Sequence, residues 1–210
     1  TVYSFIPNTA EVAFYGLIEG LEKELNKIKL QKISELGTDP DPEKIKQILN
    51  MTVRAEKLIV KDDKSRTFIA DESTRGTMVS HVYDVTYGIV ENEVDTLVLI
   101  DDSIVRGTTL RDSLISIAAR LRPKKIVVLS SAPQIRFPDC YGIDMSVMGK
   151  FVAFQAIVEL LKENGKEHLL DEVYEKCKAQ QNLPKEQVTN EVISLYSHFT
   201  YNQVSKKITE

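Results

Sequence analysis

The stretch from Leu97 to Thr109, LVLIDDSIVRGTT, constrains the fold more than any other part of the chain. Its apolar residues, Leu97 to Ile100, have the pattern of a short strand buried on both faces, as in the middle of a parallel sheet. Two adjacent carboxylates, Asp101 and Asp102, stand where that strand should end. Arg106, Gly107, Thr108 and Thr109 follow, and a helical run is predicted from Leu110 to Leu121, stopped by Pro123. A second buried strand is predicted from Lys125 to Ser131 (KIVVLSS). Strand, helix and strand at this spacing form one βαβ unit, with a right-handed crossover expected. In open α/β sheets ligands bind outside the carboxyl ends of the strands, so a site is expected at the acidic pair.

The residue types there define a chemistry. A glycine followed by two threonines at a helix start offers close backbone approach, free N–H donors and two hydroxyls. That suits a phosphate monoester, because first-turn amides and the helix dipole both favour an anion. Asp101 and Asp102 cannot bind phosphate directly. They can accept hydrogen bonds from a diol such as a ribose, or face a hydrated Mg2+, which prefers oxygen ligands and keeps several waters. A phosphate cradle beside a diol or Mg2+ site suggests a 5-phosphorylated ribose.

At these residues the chain resembles a known family. VLIDDSIVRGTT is similar to the phosphoribosyl pyrophosphate (PRPP) binding motif of type I phosphoribosyltransferases, and most of all to that of the amidophosphoribosyltransferases. A second stretch, Ser130 to Met145 (SSAPQIRFPDCYGIDM), looks like the segment after the next strand in that family and unlike nucleobase salvage transferases. A weaker match, Arg66-Thr67-Phe68-Ile69, resembles the start of its mobile active-site loop. The resemblance covers residues 1 to 145 with interruptions and is strongest from 96 to 145.

Composition bounds the rest. A chain of 210 residues is ample for a real core, as one domain or one with an appended piece. Its 42% hydrophobic and 28% charged content is ordinary for a soluble globular protein. A net charge of −4 argues against a nucleic-acid-binding surface. Cys140 and Cys177 have neither metal-ligand spacing nor a disulfide framework, which fits a reducing cytoplasm. No run is apolar and long enough to span a membrane, and the N-terminal Thr1-Val2-Tyr3 has no signal-peptide character.

Along the chain, Val2 to Ile6 reads as a strand, then Pro7-Asn8-Thr9-Ala10 as a tight turn. Val12, Tyr15, Ile18, Leu21, Leu25 and Ile28 then recur at helical spacing, and this first helix extends to about Leu36. Asp41 is the expected N-cap, with Pro42 at the first helical position, of a short helix to Leu49. Lys57 to Lys61 is the next expected strand. Residues 70 to 80 read as a mobile loop, and 81 to 90 as ambiguous between helix and strand, with His81 more easily structural than catalytic. Beyond Met148 three amphipathic helices are predicted: Phe151 to Leu161 with Gly165 as its stop, Leu169 to Ala179, and Pro184 to Phe199. They are expected to cap the sheet or to mediate assembly of a homo-oligomer.

The expected fold is α/β: a mainly parallel sheet of about five strands flanked by helices, with a helical C-terminal extension. The division expected is a phosphoribosyltransferase domain over 1–147, with an insertion at 27–52, and an extension over 148–210. The resemblance implies transfer of the phosphoribosyl group of PRPP to ammonia, with Mg2+ as cofactor, pyrophosphate as product and purine nucleotides as inhibitors. It assigns Asp101 and Asp102 to the ribose hydroxyls and Mg2+, and Ser103, Arg106, Gly107, Thr108 and Thr109 to the 5-phosphate. Asn8, Thr9 and Ala10 would hold the pyrophosphate, with Arg66 closing over it. Lys61, Lys64 and Arg75 are weaker anion-seeking candidates, and Arg136 offers a charge near the amine-accepting end.

The chain departs from the family where Asn8 replaces an acid, where Ala10 replaces a Mg2+-approaching Ser, and where Asp62 and Asp63 enter a basic cluster. The family's glutaminase half, with its N-terminal cysteine nucleophile, has no counterpart, so a fragment of a longer enzyme is expected. A non-catalytic PRPP- or nucleotide-binding regulatory module on the same fold is the alternative, and a nucleobase salvage transferase is a third reading.

Overall fold

The computed structural model describes residues 1–7, 9–61, 83–108, 110–139 and 145–210. These fall into two compact units. The first joins Thr1–Ser103 to Thr108–Ala132; the second joins Ile104–Gly107 to Pro133–Glu210.

The first unit is α/β. It contains β1 (Val2–Phe5), α1 (Glu11–Ser34), α2 (Pro42–Leu49), β2 (Ile59–Lys61), β3 (Tyr83–Val85), β4 (Thr96–Asp101), α3 (Ile115–Ala119) and β5 (Lys125–Ser130). β4 is the central strand of a parallel sheet ordered β1-β4-β5. Leu97, Val98, Leu99 and Ile100 are all buried, as a strand covered on both faces requires. Leu97 and Leu99 pack with Val2, Leu58, Leu114 and Ile117. Ile100 joins Phe5, Ala10 and Phe14 in a separate cluster. Each such fully buried aliphatic side chain contributes about 1.5–3 kcal/mol, so β4 is the strand least able to shift.

The sheet differs from expectation. Among the described residues it has three parallel strands, and β2 pairs only with β3, antiparallel, as a separate two-stranded sheet. The cause lies at Ser4. Residues 54–56 begin to pair with β1: Tyr3 N–H donates to the Arg54 carbonyl at 2.8 Å and Glu56 N–H to the Tyr3 carbonyl at 2.9 Å. The buried Ser4 hydroxyl then accepts the Leu58 amide at 3.1 Å, and the ladder stops. The predicted strand from Lys57 therefore begins only at Ile59, turned toward β3.

The helices of this unit follow their local signals. Asp41 caps α2 by accepting the Glu43 amide at 2.9 Å, and Pro42 opens the helix. The run predicted as one helix from Leu110 to Leu121 instead opens as a π-helical turn, Leu110–Leu114, before the short α3. Such turns are uncommon and frequent at functional sites.

The second unit is helical: α4 (Val152–Glu163), α5 (His168–Ala179), α6 (Ile193–Ser197) and α7 (Tyr201–Ile208). Its core is Ala153, Ala156, Ile157, Leu161, Val173, Leu195, Tyr196 and Val204. Gly165 stops α4 as expected: at φ +65° it lets Gly165 N–H reach the Lys162 carbonyl (3.0 Å) and Lys166 N–H the Leu161 carbonyl (2.8 Å). The helix predicted from Pro184 to Phe199 is broken. Only Lys185–Gln187 (3-10) and α6 form. The Asn190 side chain accepts the Val192 amide and Gln180 accepts the Thr189 amide, replacing helical partners. α7 begins with a Thr200–Gln203 capping box, a signal present in the sequence.

Candidate functional site

β4 delivers Asp101 and Asp102 to the carboxyl end of the parallel sheet. On one side its pairing runs past the strand end: Ser131 N–H donates to the Asp101 carbonyl and Ala132 N–H to the Asp102 carbonyl, both at 2.9 Å. The Ser131 hydroxyl adds a second bond to the Asp102 carbonyl at 2.9 Å. On the other side Ile6 N–H meets the Ile100 carbonyl at 2.9 Å, one residue beyond β1. The chain turns there, and Thr9 arrives beside the acidic pair.

Thr9 donates its hydroxyl to Asp102 Oδ2. The other Asp102 oxygen, Oδ1, accepts the Ser103 amide at 2.7 Å. Asp101 Oδ1 accepts the Asp102 amide at 2.9 Å. Thus the loop after β1 and the loop after β4 are tied through one carboxylate. The acids are half-buried, while Thr9 is exposed. Burial, and then the hydrogen-bonding and charge of Asp102, push the Asp101 carboxyl up to about 7. Two carboxylates this close share a negative charge that a cation or hydroxyl donors would relieve.

Ala10, expected to meet pyrophosphate through its backbone, turns its side chain inward. Its methyl is fully buried with Phe5, Phe14 and Ile100, so it supplies no polar atom. Its backbone caps α1, whose Phe14 N–H reaches the Ala10 carbonyl at 2.9 Å. Thr108 is already helical and belongs to the first unit with the acids. Arg106 and Gly107 belong by packing to the second unit. Gly107 has φ +69°, a conformation that glycine adopts without strain.

Asn8, Arg66 and Thr109 lie outside the described residues, as do Asp62, Asp63, Lys64, Arg75, His81 and Cys140. Lys61 lies over the ring of Tyr83 at 5.7 Å. Arg136 is committed within the helical unit: it donates to Gln134 Oε1 at 2.7 Å and stacks on Tyr196 and Tyr201. The Ser131–Asp102 and Thr9–Asp102 contacts are not legible in the sequence, because both depend on strand register and not on a local motif.

An acidic pair with a hydroxyl donor beside it fits a hydrated divalent cation of the Mg2+ type or a vicinal diol. Among the described residues no group of three or more His, Cys, Asp or Glu side chains is placed to hold a metal by itself. No helix among the described residues is long and apolar enough to cross a membrane.

No family model matches this chain. It is similar to the amidophosphoribosyltransferase of Escherichia coli (strain K12), 42% identical over 67 residues, which are 32% of this chain and 13% of that protein. It is 40% identical to that of Pasteurella multocida over 75 residues, 35% of this chain and 15% of the relative. To that of Staphylococcus aureus (strain N315) it is 26% identical over 160 residues, 75% of this chain and 26% of the relative. The chain thus spans only 13–15% of the two bacterial relatives it matches at higher identity. Among solved structures it is similar to the glutamine PRPP amidotransferase of B. subtilis complexed with ADP and GMP. That match has a TM-score of 0.46 and 24% identity, over 78% of this chain and 30% of the other. The matches to the amidophosphoribosyltransferases of E. coli and Pasteurella multocida bear out the family resemblance.

Proposed function

We propose that this chain is the phosphoribosyltransferase portion of an amidophosphoribosyltransferase, acting on PRPP in purine nucleotide synthesis. The reaction would form a bond from ammonia nitrogen to C1 of the ribose and break the bond from C1 to pyrophosphate. The products are 5-phosphoribosylamine, pyrophosphate and a proton released to solvent. The observation that carries this reading is the acidic pair at the end of β4, with Asp102 tied to Thr9 of the neighbouring loop.

In this reading Asp101 and Asp102 accept the ribose hydroxyls and hold Mg2+ through its waters, a cation that would neutralise pyrophosphate charge. Ser103, Arg106, Gly107, Thr108 and Thr109 take the 5-phosphate. Asn8, Thr9 and the backbone of Ala10 take the pyrophosphate at the start of α1, with Arg66 closing over it through bidentate contacts. Catalysis then rests on holding C1 between amine and leaving group and on stabilising separated charge, without a protein nucleophile. The assigned domain is 1–147, with 148–210 as an extension; the setting is the cytoplasm, and ammonia would come from a glutaminase partner domain.

The test is pyrophosphate release from PRPP with Mg2+ and a high ammonium concentration at alkaline pH. Ammonia-dependent release that Asp101→Asn with Asp102→Asn abolishes is the expected result. A second reading, a non-catalytic PRPP- or nucleotide-binding module, is favoured by the buried Ala10 methyl, which offers no side-chain oxygen at that position. It predicts PRPP binding with no release.

A further inference from the structure

The middle residues of the loop after the acidic pair group with a different unit from the residues on either side of them. Ile104–Gly107 group with Pro133–Glu210, while Ser103 and Thr108 belong to the first unit. Within the helical unit the attachment has a defined centre. Val152 N–H donates to the Val105 carbonyl at 2.8 Å. A Cβ built on Gly107 would stand 3.8 Å from Val152 Cγ2 and 3.9 Å from Ile104 Cγ2. Gly107 itself sits at φ +69°, so the loop is bent at the point where it meets Val152.

Val152 is the first residue of α4, and its amide is one of the helix's orphan donors. That donor is spent on the loop and not on a cap: the preceding Phe151 makes no side-chain cap and is fully buried. The helix start is therefore anchored and the loop carbonyl is satisfied by the same bond.

We propose that Val152 is a positioning residue for the loop assigned above to the 5-phosphate, so that the C-terminal helices set that loop's shape. This rests on the phosphate assignment under Proposed function. It gives the helical extension a role in shaping Ile104–Gly107 that neither capping the sheet nor assembly requires.

The full chain permits a direct test. Val152→Pro deletes the donor along with the valine methyls: proline suits the first helical position, and Phe151 at φ −77°, ψ 128° already has the conformation required before proline. Val152→Ala keeps the donor. Gly107→Ala strains the loop from its other side. Binding of ribose 5-phosphate and of inorganic pyrophosphate is measured by calorimetry, beside the thermal midpoint of each variant.

Val152→Pro and Gly107→Ala should each weaken ribose 5-phosphate at least tenfold and leave pyrophosphate within twofold, and Val152→Ala should bind both as the wild type does. Equal ribose 5-phosphate affinity in Val152→Pro overturns the inference. So does a parallel fall in both ligands with a lowered midpoint, which marks general destabilisation. If the wild type binds pyrophosphate but no ribose 5-phosphate, the phosphate assignment itself fails and takes the inference with it.

Discussion

The two ends of β4 each carry an acid, and the environments are opposite. Asp95, just before the strand, is buried and surrounded by donors. The Glu91 amide donates to it at 3.0 Å, and Arg54 reaches both of its oxygens at 2.7 Å. The Glu91 hydrogen bond, followed by Arg54, holds its carboxyl down at about 2 against the cost of burial. Asp101, at the other end, gets one amide and a second carboxylate, and its carboxyl is pushed up to about 7. Where an acid closes a fold, donors converge on it from the protein. Where an acid lies beside another acid, its raised value marks a candidate functional site, and under the proposed function a ligand would supply the positive charge or hydroxyl donors.

The comparison can be broken by removing each acid in turn. Asp101→Asn with Asp102→Asn should weaken PRPP binding by on the order of 3 kcal/mol, because charge-assisted hydrogen bonds to the diol are lost. Titration calorimetry checks this, and wild-type affinity in the double variant would sink the assignment of both residues. The same variant should unfold in urea no earlier than the wild type. Asp95→Ala should do the reverse. It strands the Arg54 guanidinium and the Glu91 amide, and should cost about 2 kcal/mol of stability, moderated because Arg54 is partly exposed and regains water. Ligand affinity, measured below the unfolding transition, should change little.

The contrast also explains what the sequence makes legible. β4 and the acidic pair are readable because a doubly buried strand must be a continuous apolar run, and the residues after it fall at the sheet edge. β5 forms where its apolar run predicts, but it is not the buried strand expected: none of its residues is buried. α2 and the end of α4 are readable because Asp41, Pro42 and Gly165 act within one turn of their own backbone. The separation of β2 and β3 from the main sheet is not readable, since it turns on one hydroxyl, Ser4, taking one amide. The long helix expected after Pro184 fails for a similar reason: Asn190 competes locally for a helical donor, which an apolar stripe does not reveal. At the site, motif order supplied Asp101 and Asp102. The Thr9–Asp102 contact and the Val105–Val152 bond join residues far apart in the chain, and no local pattern encodes either.

A pH-dependent effect follows from Asp101 alone and gives the comparison its sharpest form. A carboxyl that titrates near 4 when unfolded and at about 7 when folded binds more protons in the native state between those values. Its contribution to stability is then fully present below about 4 and is lost as pH rises through about 7, with a slope that approaches 1.4 kcal/mol per pH unit at most. Asp95 has the opposite sign: its depressed value favours the fold above the unfolded value near 4, and that benefit is lost as pH falls toward about 2. Urea unfolding of the wild type and of Asp101→Asn from pH 4 to 8 separates the two. The variant should be relatively more stable as pH rises, with the difference levelling off above 7. Parallel curves would show that Asp101 is compensated inside the protein after all, and the argument that a ligand must complete the acidic pair would fail with it.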